Sequence, residues 1–191
     1  SMLPIDAGAT LLPIARAAIA GALGQHAVAQ VDAPWLQEPG ASFVTLTQNG
    51  ALRGCIGTLE VRQTLLADVQ SNALAAAFHD PRFAPLTARE LGATDIEVSV
   101  LSALQPLRFG SEADALSQLR SGIDGVVFAF GHHRSTFLPQ VWEQLPDPRT
   151  FMAHLKRKAG LAPDFWADGI TLQRYTVTKW TEPSTRPSHA G

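Results

Sequence analysis

Apolar residues recur along this chain with two periods, one near 3.6 and one of two, and each stretch predicts the element to which its period belongs. Thr10 reads as the cap of a helix with Leu11, Ile14, Ala18 and Ala22 on one stripe, Pro13 falling within its first turn. Residues 24–39 lack either period and predict a connection, pinned to the body by Trp35 and Leu36. In ASFVTLTQNGALRGCIGTLE two extended runs flank Asn49-Gly50, a strong hairpin signal. Phe43, Thr45 and Thr47 then face one way and Val44 and Leu46 the other; in the second run Leu52 and Ile56 oppose Arg53 and Cys55, which become neighbours on a common face.

Helical spacing returns over residues 63–78 with Leu65, Leu66, Val69, Ala73, Ala76 and Ala77, and Pro81 and Pro85 end it. TDIEVSVLSAL alternates as a strand, with Ile96, Val98 and Val100 towards a core and Asp95, Glu97 and Ser99 away. If it shares a sheet with the hairpin, Arg53, Cys55, Glu97 and Ser99 share its polar side. Ser111 caps a short helix, and IDGVVFAFGHHRSTFLP predicts strand, turn and strand with the turn at residues 131–134. A helix after Pro146 ends at Gly160 with Phe151, Leu155 and Ala159 on one side, and its basic end, Lys156, Arg157 and Lys158, reads as solvated and suited to the helix dipole. GITLQRYTVTKWTE predicts one closing strand, and residues 182–191 have the Pro/Ser composition of a frayed tail. With no internal repeat and no long linker, residues 10–181 are expected to form a single domain.

Composition narrows the function classes. Fifteen Lys plus Arg against seventeen Asp plus Glu give a net charge of −2, without the positive field that nucleic-acid binding requires. One cysteine cannot form an internal disulfide, no run approaches a membrane span, and Pro13 and Arg16 interrupt the apolar opening segment, so a cytoplasmic protein is expected. No P-loop, dinucleotide fingerprint or HExxH occurs, and no histidine stands at ligand-like spacing from Cys55, so neither cofactor nor metal is expected.

FVTL, LRGCIG, AAFHDPRFAPLT, IEVSVLS, FLPQVW and KAGL occur in this order over most of residues 42–180. Together they resemble the AMMECR-type domain, as in protein A of the AmmeMemoRadiSam system, whose signature is LRGCIG. The resemblance implies an α+β fold with an antiparallel sheet flanked by helices, and two unequal subdomains with a cleft between them lined by the signature. It implies Memo-like and radical SAM proteins as partners in a shared pathway acting on a small molecule, protein or RNA. In the family pattern Asp80, Pro81, Arg82 and Phe83 recur, whereas the position of His79 varies.

Two readings of Cys55 follow from the residues: a small buried hydrophobe, or a ligand-contacting thiol next to Arg53 with Gly54 and Gly57 leaving space around it. A nucleophile needs a base, for which His79 is the candidate. Arg53, Arg82, Asp80, Glu97 and Ser99 would suit a polar or anionic ligand, with Gln140 and Lys158 as further wall residues; Arg82 alternatively pairs with Asp80 or Glu97. Three function classes are carried: a substrate-processing enzyme or component centred on Cys55 and Arg53, a non-catalytic ligand- or protein-binding module, and an RNA- or protein-binding regulator, which the net charge disfavours.

Overall fold

The computed structural model describes residues 3–183. The elements in chain order are α1 (Gly8–Ala22), β1 (Pro39–Gly40), β2 (Ser42–Gln48), β3 (Ala51–Gly57), β4 (Gln63–Thr64), α2 (Leu65–Phe78), α3 (Ala88–Leu91), β5 (Asp95–Leu101), β6 (Gln105–Pro106), α4 (Glu112–Gln118), β7 (Gly125–Phe130), β8 (His133–Phe137), α5 (Pro148–Lys158), β9 (Thr171–Tyr175) and β10 (Val177–Thr181). This is an α+β fold in two compact units, the second formed by residues 102–177 and the first by the chain on either side. No helix among the described residues is long and apolar enough to cross a membrane.

The first unit is built on a sheet of order β10-β5-β2-β3, in which β2 pairs antiparallel with both β3 and β5. The β2–β3 turn carries positive φ at Asn49 (52°) and Gly50 (78°), which is why Asn-Gly stands there. Val44, Leu46, Ile96 and Val98 are wholly buried with Leu11, Ile14 and Ile19 of α1 and Val69 and Ala73 of α2. Each such aliphatic side chain contributes about 1.5–3 kcal/mol through burial. Gly54 lies against the backbone of α2, where a Cβ would collide with the Ala76 carbonyl. The glycine therefore sets how closely strand and helix approach.

A buried carboxylate fixes that packing. Asp68, 1% exposed, accepts hydrogen bonds from the Ser42 amide (2.8 Å) and hydroxyl (2.7 Å), Thr58 Oγ1 (2.7 Å) and Asn72 Nδ2 (3.1 Å). Helix, central strand and the end of β3 thus meet at one buried carboxylate that is hydrogen-bonded to each of them, as burial demands.

Three sequence expectations are corrected here. Helix α1 starts at Gly8, ahead of Thr10, because Asp6 and Ala7 already accept its first amides; Pro13 then lies in the second turn, and Ala15 and Ile19 occupy the buried stripe where Ala22 was expected. The single closing strand is two, since β9 belongs to the second unit's sheet and β10 to the first. At Thr176 between them the amide donates to Ser102 Oγ and the carbonyl accepts from the Ser102 amide, both at 2.8 Å. Glu182, assigned to the tail, accepts from Arg16 Nε (2.8 Å), Arg16 Nη2 (2.7 Å) and the Ile96 amide (2.8 Å). The hydrogen bonds of Arg16 to Glu182, foremost, raise the arginine's pKa further. Residues 184–191 of the expected tail lie outside the described residues.

The second unit has a sheet of order β6-β9-β7-β8, with every pair antiparallel. Trp142 stacks on Phe151 of α5 at 3.7 Å between ring centroids, and its indole N–H donates to the Asp124 carbonyl. Ser111 caps α4 by accepting from the Asp114 amide, as expected. The β7–β8 turn is shorter than expected, since His133 and Arg134 already belong to β8. Lys156 is another correction: it is buried, with Nζ 2.9 Å from Glu112 Oε2 and 5.4 Å from the Trp166 ring centroid. It is a structural ion-paired residue that helical periodicity cannot distinguish from its solvated neighbours Arg157 and Lys158.

Candidate functional site

On the face of the first sheet that carries Cys55, the ladder sets Cys55 opposite Thr45, and Thr45 opposite Glu97. The next rung is Gly57, Phe43 and Ser99. The polar-side alignment of Cys55, Glu97 and Ser99 is therefore present, with β2 between β3 and β5. Cys55 is half-buried, and its Sγ lies 3.2 Å from Thr45 Oγ1. Glu97 accepts from Thr181 Oγ1 at 3.1 Å, and Ser99 is buried. Above Gly57 the space that a side chain would take is filled by the ring of Phe43, so neither glycine beside Cys55 leaves a vacant recess.

Arg53 departs from the strict alternation. The register passes from Leu46↔Gly54 to Thr47↔Leu52, leaving Arg53 as the extra residue of a β-bulge. Its guanidinium turns to Glu90 of α3, with Nε 2.9 Å from Oε2 and Nη2 3.3 Å from Oε1. Glu90 also accepts from Gln48 Nε2 and the Thr87 amide; Arg53 foremost, then Gln48, pulls its pKa down to about 2. The same arginine retains a buried Nη1 with no hydrogen-bond partner. The expected pairing of Arg53 with Cys55 is thus replaced by an ion pair with Glu90.

The groups that do hold Cys55 come from the loop after α2. Asp80, 4% exposed, accepts the Cys55 amide on Oδ2 at 2.9 Å and the Arg82 amide on Oδ1 at 3.0 Å. Arg82 closes onto the same carboxylate through Nε (3.0 Å) and Nη2 (2.8 Å), and Nη2 reaches the Cys55 carbonyl at 3.4 Å. These contacts, those of Arg82 first and the Cys55 amide next, hold the Asp80 carboxyl well below the usual carboxylate range. Arg82 is raised in turn, chiefly by its hydrogen bonds to Asp80, with smaller contributions from the charges of Asp80 and Cys55. Of the two partners considered for Arg82, the structure selects Asp80. The Phe83 ring lies 5.4 Å from the Arg82 guanidinium and 5.8 Å from that of Arg53.

The chain is similar in sequence and fold to known proteins. The family model described as AMMECR1 matches residues 12–180. A protein of Methanothermobacter thermautotrophicus is 40% identical over 171 residues, covering 87% of this chain and 88% of the relative. Protein MJ0810 of Methanocaldococcus jannaschii is 32% identical over 190 residues, covering 97% and 94%. The crystal structure of the uncharacterized protein PH0010 from Pyrococcus horikoshii superposes with a TM-score of 0.75 at 30% identity, covering 94% of this chain and 93% of that one. The chain belongs to the AMMECR1 family.

Within this AMMECR1-family chain the remaining candidates separate from the cluster. His79 caps the C terminus of α2 and is exposed, and the hydrogen-bond partner of Cys55 Sγ is a threonine hydroxyl. Gln140 is exposed in a 3₁₀ turn of the second unit, where Lys158 Nζ donates to the Thr136 carbonyl at 2.9 Å over the Phe137 ring. Among the described residues no group of three or more His, Cys, Asp or Glu side chains is placed to hold a metal ion. The second unit also carries an open groove of about 670 Å³ beside Arg108, Phe109, Trp166 and Asp168. Thr45, Glu90 and the groove had no signal in the sequence beyond ordinary strand, cap and loop chemistry; each depends on which strands and loops are neighbours.

Proposed function

We propose that this chain is a substrate-handling component of a pathway shared with Memo-like and radical SAM proteins, and that it holds a polar, anionic small molecule at the sheet face around Cys55. The observation that carries the reading is the treatment of one residue's backbone: both the amide and the carbonyl of Cys55 are held by side chains, Asp80 and Arg82. Such a clamp fixes the thiol in space while the Arg82 side chain stays 55% exposed, so a half-buried soft atom stands beside an accessible cation. A carboxylate or phosphate group is the natural partner for that cation. Holding is favoured over nucleophilic attack because Sγ has Thr45 Oγ1, rather than an imidazole or carboxylate, within hydrogen-bond reach.

The test is alkylation of the single cysteine in the native protein by iodoacetate and by iodoacetamide. Both reagents should modify Cys55, and the rate of the anionic reagent relative to the neutral one should fall in Arg82→Gln. A thiol that reacts only after denaturation would make Cys55 a packing residue and overturn the proposal. In a strain carrying Cys55→Ser, loss of function at an almost unchanged Tm is expected, with the metabolite that accumulates naming the ligand.

A further inference from the structure

Cys55 lies on the free edge of its sheet, since β3 is the last strand in the order β10-β5-β2-β3. In an antiparallel ladder, residues that bond across to the neighbour alternate with residues whose N–H and C=O point away from it. The Thr58 amide donates to the Ser42 carbonyl, and this sets the phase: Thr58, Ile56 and Gly54 turn their backbone groups to β2, whereas Gly57 and Cys55 turn theirs outward. An outward row of this kind is a template for another strand. Proteins blunt such rows with lysine, proline or a bulge.

Strand β3 contains neither lysine nor proline, and its one charged residue, Arg53, is committed to Glu90. The bulge at Arg53 limits the pairable segment to residues 54–57. In that segment both outward groups of Cys55 are already taken, the amide by Asp80 Oδ2 and the carbonyl by Arg82 Nη2. A residue facing a strand in a hydrogen-bonded antiparallel pair supplies one acceptor and one donor to its opposite number. Asp80 supplies the acceptor and Arg82 the donor, and their mutual hydrogen bonds at 3.0 and 2.8 Å hold the two at that spacing.

We infer that the Asp80–Arg82 pair is a surrogate for one residue of a neighbouring strand, closing the β3 edge so that a second copy of this chain cannot pair with it. The excluded occupant is a second copy because antiparallel pairing of β3 with itself about Cys55 is two-fold symmetric: each Cys55 would give its partner the amide and carbonyl that Asp80 and Arg82 now occupy. The inference is independent of whether Cys55 contacts a ligand.

Cross-linking of the full chain through its single cysteine with a short bis-maleimide tests it, with yields normalised to labelling by a monofunctional maleimide. Normalisation separates pairing of edges from mere access to the thiol. Wild type should give no Cys55–Cys55 product, and the Asp80→Ala/Arg82→Ala double variant should give one that rises with protein concentration, with amide exchange at Cys55 slowing over the same concentration range. Arg82→Ala alone, which leaves the Asp80 bond to the Cys55 amide, should give an intermediate yield, and Arg82→Lys should restore the wild-type result. Folded variants that give no cross-link at any concentration would overturn the inference, as would a cross-link already present in wild type. Should the double variant fail to fold, the single variant and its lysine rescue decide the matter.

Discussion

The amide of Cys55 and the carboxylate of Asp80 meet at 2.9 Å across 25 residues of chain, joining the middle of an edge strand to the loop that follows the next long helix. Because that carboxylate also receives three hydrogen bonds from Arg82, the position of the thiol depends on a charged pair as well as on the sheet.

Acid should loosen this region from two carboxylates at once. Glu90 has a folded pKa of about 2 and Asp80 is depressed as well, against unfolded values of roughly 4. A depressed carboxylate contributes stability that is present above its unfolded pKa and is lost as the pH falls towards its folded one. Urea unfolding between pH 7 and pH 2 should therefore show wild-type stability declining below about pH 5. The slope should be shallower in Glu90→Gln, and an unchanged slope would mean that the Arg53–Glu90 pair is not formed in solution.

Gly54→Ala should cost about 1–3 kcal/mol or abolish folding, because the added methyl group meets the backbone of Ala76 rather than a side chain that can swing aside. Gly21, inside α1 with open space around its Cα, is the matched control. Gly21→Ala should stabilise by about 0.5–1 kcal/mol. Chemical denaturation of both variants gives the comparison, and equal effects would contradict the tight β3–α2 contact.

Asp68→Ala should destabilise by about 3 kcal/mol, since it orphans the Ser42 amide and hydroxyl in a buried site and removes the tie between α2 and β2. The midpoint of a urea titration reads this directly. A change within about 0.5 kcal/mol, the usual range for surface substitutions, would show that the network is dispensable.

For the ion pair of the second unit, which partner is removed should matter more than the loss of the pair. Glu112→Ala leaves the buried Lys156 ammonium uncompensated and should cost about 2 kcal/mol, less than for a fully buried pair because Glu112 is 30% exposed. Lys156→Met removes the buried charge itself and should be close to neutral. Thermal unfolding of the two variants distinguishes them, and the reverse order would contradict the burial of Lys156.

Much of the first sheet was legible because its signals are local. Asn49-Gly50 occupies positive φ whatever surrounds it, and Ile96, Val98 and Val100 alternate with polar residues because one side of their strand is buried. No glycine, proline or asparagine interrupts residues 171–181, and for that reason the sequence concealed the passage from one sheet to another at Thr176. Lys156 was unreadable for a related reason: periodicity indicates a face of α5, but Glu112, 44 residues away, decides that the ammonium can be buried there.

Sequence by itself determined the hairpin, the helix ahead of the Asp80 loop and the polar side on which Cys55, Glu97 and Ser99 stand, and its spaced motifs marked the family. Tertiary structure alone decided the partners of the charged groups. A bulge removed Arg53 from the alternation and gave it to Glu90, while the loop after α2 delivered Asp80 and Arg82 to the outward backbone of Cys55. The physical reason is range: backbone preference and burial act between near neighbours in the chain, whereas a carboxylate takes whichever donors the fold brings within about 3 Å of it.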